Sequence, residues 1–327
     1  MNPFRFARAE STPAALGAVA SGRHARFVAG GTNILDLMKV GVEMPELLID
    51  INALPLRSIV RRGDALHIGA LARLSDVAAD AQVRAAFPMV AIALEQSASP
   101  QLRNMASIGG NVLQRTRCPY FRDLATACNK RAPGTGCGAI GGMNRQQAVL
   151  GTSDHCIATH ASDLAVTLAA LEARIHIDGR AGSRDASIRD FYRLPGETPH
   201  VENVLAYDEL ITGVSLPLLA YGGNSTYLKV RARAQYEFAL ASAAVALDIA
   251  NGTIRQARVA LGGVGTIPWR SLEAETLLSN APATRVTFEK AAQAAVAGAR
   301  GYGQNDFKIA LAQRTLIRAL EMVVERQ

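Results

Sequence analysis

All four cysteines of this chain fall in one segment that shows neither helical nor strand periodicity. Nine, eight and eighteen residues separate Cys118, Cys128, Cys137 and Cys156, and the segment is rich in Gly, Pro, Arg and Asn. An irregular segment of this length is uncommon inside a compact domain, and something must order it. The cysteines therefore constrain the fold more than any other feature of the sequence.

The cysteine spacing leaves several chemistries open. Structural zinc sites usually contain closely spaced cysteine pairs, which this segment lacks. Two disulfides would require an oxidising compartment. Four thiolates at varied spacing suit a [4Fe–4S] cluster, which takes four cysteine ligands. The spacing favours the cluster over zinc and over disulfides or unrelated thiols, but it does not decide among them.

Two double-glycine turns suggest a phosphate site. A strand over 25–29 runs into Gly30-Gly31-Thr32-Asn33, and a second glycine pair followed by Asn stands at 109–111. Glycines let backbone N–H groups approach a ligand closely, and a helix N-terminus adds a positive dipole. Alone, the first turn could equally be a strand–helix turn capped by Asn33. Two such turns from separate parts of the chain could bind a pyrophosphate between them.

Composition narrows the class of protein. The chain is 49% hydrophobic and 19% charged, which is typical of a globular protein, and it has no run of ~18 apolar residues that could span a bilayer. The net charge is +7, but the basic residues are scattered without interleaved aromatics, so we expect no nucleic-acid partner. Docking on acidic partner subunits is the better explanation. Residues 14–20 predict a first helix rather than a secretion signal.

Periodicity and turn residues predict a mixed chain with a boundary near residue 220. Strands are expected at 4–6, 25–29, 47–50, 59–60, 66–68, 173–177, 186–188, 209–216, 227–231, 243–249 and 256–261. Helices are expected at 13–20 with Thr12 as cap, at 34–39, 73–79, 88–96 and 164–171, and from Ser271 to the end. Tight turns are expected at Gly63-Asp64, Asp178-Gly179 and Asn251-Gly252.

Five short motifs occur in an order that carries a resemblance. They are the turns at 27–33 and 106–111, the pair Ser162-Asp163, the strand at 208–211 and Lys229-Val230-Arg231. Together they resemble the FAD-binding subunit of the xanthine dehydrogenase and aldehyde oxidoreductase family over essentially the whole chain. The resemblance implies an α+β fold. A two-subdomain FAD-binding domain of the vanillyl-alcohol-oxidase (PCMH) type would span 1–219, and a C-terminal α+β domain of the CO dehydrogenase flavoprotein type, with an antiparallel sheet and helices, would span 220–327.

The chain departs from the usual family pattern between the second turn and the Ser-Asp pair. Asn111 and Asp163 are 52 positions apart, which implies an insert at about 112–158 that holds every cysteine. This resembles a subgroup that carries an extra [4Fe–4S] cluster. The subgroup includes the β-subunit of 4-hydroxybenzoyl-CoA reductase and the middle subunit of the periplasmic molybdenum aldehyde oxidoreductase. Residues 113–121 and 128–131 look closest to the latter, so the resemblance makes the four cysteines cluster ligands.

The resemblance also implies where FAD would bind. Asp163 would contact the ribose or the diphosphate, Ile211 would pack on the adenine or the flavin, Lys229 would lie near the isoalloxazine, and His160 could be a flavin contact. The alternative for Lys229 is a surface lysine at a strand edge. The pyrophosphate would lie between two sets of residues: Ala29, Gly30, Gly31, Thr32 and Asn33 on one side, and Ser107, Gly110 and Asn111 on the other. Phe27, Val28 and Ile34, which flank the first set, would also bind the cofactor.

The implied function is electron transfer, with no catalytic residue for the organic substrate. A molybdenum-cofactor subunit would oxidise an aldehyde, and a small subunit with [2Fe–2S] clusters would pass electrons to FAD. Oxygen or a one-electron protein would accept them. One alternative is a subunit of an aromatic acyl-CoA reductase, and a more distant one is a non-catalytic zinc- or disulfide-stabilised binding module. The resemblance favours a periplasmic location by export with a signal-bearing partner, and a cytoplasmic one is the alternative.

Overall fold

The N-terminal part of the chain forms a small parallel sheet. In the computed structural model, which describes residues 1–22 and 24–326, strands β1 (Arg5–Arg8) and β2 (Ala25–Val28) both pair in parallel with β3 (Leu47–Asp50). Helices α1 (Thr12–Ser21) and α2 (Ile34–Lys39) make the crossovers that parallel strands require. The first glycine turn therefore lies where β2 ends and α2 begins.

An antiparallel sheet of five strands follows, in the order β4-β5-β8-β6-β7. Its strands are β4 (Ile59–Arg62), β5 (Ala65–Gly69), β6 (Arg174–Gly179), β7 (Gly182–Ser187) and β8 (Leu210–Pro217). Short helices cover it: α3 (Leu74–Ala79), α4 (Ala81–Ala86), α5 (Pro88–Glu95), α6 (Pro100–Met105), α7 (Ile108–Val112), α9 (Asp163–Ala170) and α10 (Ile188–Phe191), with α8 (Pro119–Arg122) in the cysteine segment. Buried Leu66, Ile68, Ile175 and Val214 form the covered face.

The C-terminal part is a second antiparallel sheet backed by helices. Strands β9 (Ser225–Val230), β10 (Ala241–Ala250), β11 (Thr253–Gly262) and β12 (Trp269–Arg270) are neighbours in sequence order, and β13 (Ala281–Pro282) pairs with β11. Helices α11 (Leu272–Leu278), α12 (Arg285–Ala295) and α13 (Phe307–Val324) bury one face of this sheet. None of the helices in residues 1–22 and 24–326 is long and apolar enough to cross a bilayer.

The two antiparallel sheets share one core. Tyr227, Ala244 and Ala260 of the C-terminal sheet belong to the same buried cluster as the helices that cover the five-stranded sheet. Val149 and Leu150, from the end of the cysteine segment, are buried with the C-terminal helices instead. The cysteine segment is therefore packed against both parts of the molecule.

The predicted α+β architecture is confirmed, and most predicted elements lie within a few residues of their expected bounds. The predicted boundary near residue 220 falls between β8 and β9. The turn at Asn251-Gly252 forms as expected, with positive φ angles of 51° and 73°. The short helices α4, α6, α7 and α8 were not predicted, because four to six residues are too few for a helical period to show.

Three local predictions are wrong. Ser11 rather than Thr12 caps α1, because its Oγ accepts a hydrogen bond from the Ala14 N–H at 3.3 Å. Asp178 lies inside β6, paired with Ser183, so the chain turns two residues later than predicted. Ile188 begins helix α10 and does not extend the strand, since the Ser187 side chain caps that helix.

Candidate functional site

The first double-glycine turn packs against the backbone that leads into the second. A Cβ at Gly30 would overlap the carbonyl oxygen of Met105 and lie 2.5 Å from its carbonyl carbon. Ser107, just after that contact, caps α7 by accepting the Gly110 N–H at 3.3 Å. Only glycine allows the two backbones to approach this closely. The turns are thus fixed against each other before any ligand binds.

A cleft with two lobes opens beside this contact. The first lobe, of about 250 Å³, is walled by the first turn, by β8 and by the start of α7. The second lobe, of about 530 Å³, extends towards the C-terminal sheet. Thr32, Asn33 and Gly110 line both lobes, so the cleft passes between the two turns. Several predicted residues line the first lobe, namely Phe27, Ala29, Gly30, Gly31, Thr32, Asn33, Ile34, Ser107, Gly110 and Ile211.

The side chain of Val28 does not reach the cleft, so the predicted cofactor contact of Val28 is open only to its backbone. It is buried against Met38 and Leu48 on the other face of the small sheet. Side chains alternate across a strand, so Phe27 and Ala29 face the lobe while Val28 faces away. Val28 can offer a ligand only its backbone.

Asn33 places a buried donor without a protein partner in the cleft. Its Oδ1 accepts the Arg115 N–H at 3.2 Å, which fixes the side chain, but its buried Nδ2 has no hydrogen-bond partner in the described chain. A buried polar group without a partner costs about 1–3 kcal/mol, and an acceptor atom on a bound ligand would remove that cost. The unpaired donor stands where the two lobes join.

Asp163 and Lys229 form a buried network at the wall of the second lobe. Asp163, the first residue of α9, accepts hydrogen bonds from Lys229 Nζ at 2.7 Å, Tyr227 OH at 2.6 Å and Ser97 Oγ at 3.1 Å. The side chain of Lys229 is 1% exposed, so the alternative of a surface lysine is wrong. Burial and the Asp163 charge together raise the pKa of Tyr227. A direct contact between Asp163 and a cofactor stays a prediction.

Asn111 and His160 are held close to this network. Ser162 Oγ donates to Asn111 Oδ1 at 2.6 Å and thereby ties the second turn to α9. His160 lines a smaller cavity behind the second lobe rather than either lobe, so the structure does not bring it to the cleft. Burial lowers the pKa of His160 to about 4, which keeps the ring neutral. The ring packs edge-to-face on Tyr192, at 4.6 Å between ring centroids, and its buried Nε2 has no hydrogen-bond partner in the described chain.

The four cysteines surround one small cavity next to the cleft, and all are free. Cys128 and Cys137 face each other in an antiparallel bridge. Gln147 Nε2 donates to Cys118 Sγ at 3.4 Å, and the Ala158 N–H donates to Cys156 Sγ at 3.5 Å. Burial raises the pKa of the Cys118 thiol to about 11. Cys118 also lines the cavity behind the second lobe, so the cysteine site lies next to the cleft.

Ion pairs fix the cysteine segment to the rest of the chain. Arg115 donates to Glu202 at 2.6 Å and to Glu43 at 2.7 Å, and Lys130 lies 3.0 Å from Glu202. Asp36 of α2, in turn, accepts hydrogen bonds from two further arginines of the segment at 2.7 Å. Sequence reasoning missed these partners and also Ser97, Tyr227 and Gln147, because each contact joins residues far apart in the chain.

Acid is expected to weaken this attachment at Glu202. Burial raises the pKa of Glu202, but the charges of Lys130 and Arg115 outweigh burial and hold it below the ordinary 4.5. The folded-state pKa is therefore lower than the unfolded one. The ion pairs contribute fully above about pH 4.5 and are lost as the pH falls through the folded-state pKa.

Thermal melting of wild type and Glu202→Gln between pH 7 and pH 3 measures this effect. We expect the variant to be about 1–3 kcal/mol less stable at pH 7, because two charge-assisted hydrogen bonds are weakened. The stability difference should shrink as the pH falls below 4.5. A difference that does not change with pH would contradict the assignment.

Comparison with known proteins gives a consistent family. Residues 2–219 match the family model of the FAD binding domain in molybdopterin dehydrogenase, and residues 226–323 match the CO dehydrogenase flavoprotein C-terminal domain. The aldehyde oxidoreductase FAD-binding subunit PaoB of Escherichia coli strain K12 is 47% identical over 299 residues, which cover 90% of each chain. The glyceraldehyde dehydrogenase medium chain of Sulfolobus acidocaldarius is 29% identical over 273 residues, 83% of this chain and 79% of that one.

The fold comparison agrees with the sequence comparison. A chain of the carbon monoxide dehydrogenase from Hydrogenophaga pseudoflava superposes with a TM-score of 0.78 at 26% identity, covering 99% of this chain and 98% of that one. The predicted architecture of an FAD-binding domain followed by an antiparallel sheet with helices is confirmed. The chain belongs to the FAD-binding subunits of the molybdenum aldehyde oxidoreductase and CO dehydrogenase family, and is an oxidoreductase flavoprotein subunit.

Proposed function

We propose that this chain is the electron-transfer subunit of a heterotrimeric molybdenum aldehyde oxidoreductase and that it carries FAD and a [4Fe–4S] cluster. The observation that carries the FAD site is the unpaired Asn33 amide between two glycine turns, where the cleft lobes join. The aldehyde specificity rests on the 47% identity to the E. coli aldehyde oxidoreductase subunit.

The residues present fit FAD. The turns at Gly30-Gly31 and Gly110-Asn111 would hold the pyrophosphate through backbone N–H groups, and Asn33 Nδ2 would donate to it. The two lobes would take the two ends of the molecule, with Ile211 in the first lobe and Lys229 at the wall of the second. FAD supplies an acceptor that takes electrons singly and releases them in pairs. The Lys229 ammonium, whose charge Asp163 balances, would form part of the wall beside the cofactor.

The cysteine site fits a cluster better than a single zinc ion. Zinc needs its four ligands about 2.3 Å from one centre. The segment also lacks the closely spaced cysteine pairs that structural zinc sites usually contain. A four-iron cluster spreads its thiolates more widely, and the four free thiols around one cavity, with N–H donors to Cys118 and Cys156, suit it. Free thiols also argue against the disulfide alternative.

Partners and acceptor follow from the same family. A small subunit with [2Fe–2S] clusters and a large subunit with the molybdenum cofactor would supply electrons, and oxygen or a one-electron protein would accept them. Export to the periplasm would occur together with a signal-bearing partner. Cell fractionation of the three-subunit complex, with and without the partner's signal, tests that location. An assay with aldehydes and with aromatic acyl-CoA substrates separates this function from the acyl-CoA reductase alternative.

Metal analysis of Cys137→Ser tests the cluster. The anaerobically purified complex of the variant should contain about four irons fewer than wild type, because only three thiolates remain, while FAD and the partner's clusters stay. Met143→Ser, at an exposed position of the same segment, is the matched control and should keep all iron. Equal iron in wild type and Cys137→Ser would reject the cluster and leave the flavoprotein assignment standing. A wild-type complex without FAD would reject the assignment itself.

A further inference from the structure

We propose that Gln147 raises the redox potential of the cysteine-bound cluster through its hydrogen bond to Cys118, and that Asn305 and Lys308 hold Gln147 in position from the C-terminal domain. The inference rests on the proposed cluster. It assigns a positioning function to three residues that the cleft does not use.

The Gln147 side chain is placed as a donor to sulfur. It is 2% exposed, and its Nε2 lies 3.4 Å from Cys118 Sγ. A thiolate accepts hydrogen bonds and repels a carbonyl oxygen, so a metal-bound Cys118 selects the orientation with the amide N–H toward sulfur. In residues 1–22 and 24–326, no other side chain donates a hydrogen bond to a cysteine sulfur.

The backbone around Gln147 is fixed from the far end of the chain. Lys308 Nζ donates to the carbonyl oxygens of Gln147 at 2.9 Å and Gln146 at 3.1 Å, and Asn305 Nδ2 donates to that of Ala148 at 3.0 Å. Asn305 and Lys308 are both fully buried. Asn305, just before α13, and Lys308, in its first turn, therefore fix the backbone from which the Gln147 side chain reaches the Cys118 sulfur.

The burial of the Lys308 side chain requires an explanation. Burial lowers the pKa of Lys308 to about 7, and no carboxylate in the described chain lies within 4 Å of its ammonium group. Burying such a group is unfavourable unless its hydrogen bonds are satisfied, and here backbone carbonyls satisfy them. A methionine would fill the same volume without that penalty, so the hydrogen bonds to the segment are the feature that the lysine adds.

The effect on potential follows from charge. Reduction adds an electron to the cluster and increases the negative charge on its sulfurs, so an N–H donor stabilises the reduced form more than the oxidised one. Removing the Gln147 amide should therefore make the cluster harder to reduce. At a fixed applied potential near the midpoint, the ratio of reduced to oxidised cluster should fall about two- to tenfold, as expected for the loss of one hydrogen bond.

The experiment is a redox titration of the anaerobic complex followed by EPR, using the signal that Cys137→Ser removes. Gln147→Leu should keep its iron and FAD and shift to lower potential. Lys308→Met should shift in the same direction by a smaller amount, because the amide is less firmly held. Gln293→Leu makes the same substitution at an exposed position of α12 and should leave the potential unchanged.

The outcomes separate the two levels of inference. Absence of a signal that depends on Cys137 would reject the cluster itself. Full iron in Gln147→Leu with an unchanged potential would overturn the function of Gln147. If Gln147→Leu loses iron, its redox potential cannot be measured. The deciding experiment is then EPR of wild type labelled with ¹⁵N at the glutamine side-chain amide. A hyperfine coupling to that nitrogen in the reduced cluster supports the hydrogen bond, and its absence overturns the proposal.

Discussion

Gly30→Ala is expected to remove FAD from the complex. The new Cβ would overlap the Met105 carbonyl oxygen, lie 2.5 Å from its carbonyl carbon and lie 3.1 Å from the Ala106 nitrogen. All three are backbone atoms, so no side-chain rotation can relieve the contact. The two turns must separate, and the pyrophosphate site between them is then lost. Overpacking of this kind costs about 1–3 kcal/mol, which corresponds to a roughly 5- to 150-fold weaker hold on the cofactor.

The FAD content of purified protein, read from its visible absorbance after gel filtration, measures this effect. Gly17→Ala in α1 is the matched control, because a Cβ there would meet no atom within 4 Å. It makes the same chemical change and should keep full FAD. A Gly30→Ala protein that also keeps full FAD would show that the turns do not form the site.

Asp163→Ala is expected to destabilise the protein strongly as well as to loosen FAD. It would leave the Lys229 ammonium buried without a counter-charge, with a side chain only 1% exposed. It would also remove the acceptor of Tyr227 and one of two acceptors near the Ser97 hydroxyl, which keeps the Ala93 carbonyl oxygen at 2.7 Å. Removing one partner of a buried ion pair costs about 3–5 kcal/mol, largely because the other charge is left uncompensated.

Thermal or urea unfolding of the single and double variants tests this explanation. If the loss of stability comes from the unpaired Lys229 ammonium, the double variant Asp163→Ala/Lys229→Met should be more stable than Asp163→Ala alone. The single variant at wild-type stability would contradict the buried network. A double variant no better than Asp163→Ala would show that the loss comes from Tyr227 and Ser97 instead.

The sequence predicted well where a feature is local. Helix α2 was predicted at its observed bounds, because a strand, a glycine pair and Asn33 mark its start within a few residues. The Asn251-Gly252 hairpin is similarly local. The order of the motifs led to the right family, and the clustering of the cysteines led to a segment in which all four surround one cavity.

The sequence could not predict contacts between distant residues. The residues next to Asp163 in the sequence do not predict that Ser97 and Tyr227 will both donate hydrogen bonds to its carboxylate. The residues next to Asn33 likewise do not predict that its side-chain amide lacks a partner. The direction of the Val28 side chain could not be predicted for a related reason. A motif lists neighbours in the chain, whereas the alternation of a strand decides which of them face a ligand.

The hydrogen bonds between the start of the α13 region and the cysteine segment have a consequence for the order in which the subunit is assembled. Lys308 and Asn305 are translated after nearly the whole chain, yet they complete the support of residues 146–148. The ribosome synthesises the N-terminal part first. The cysteine segment therefore lacks these hydrogen bonds until residues 305–308 have been translated. Insertion of the proposed cluster would then follow the synthesis of residues 305–308. A polypeptide that stops before Asn305 would carry all four cysteines without the hydrogen bonds that hold residues 146–148.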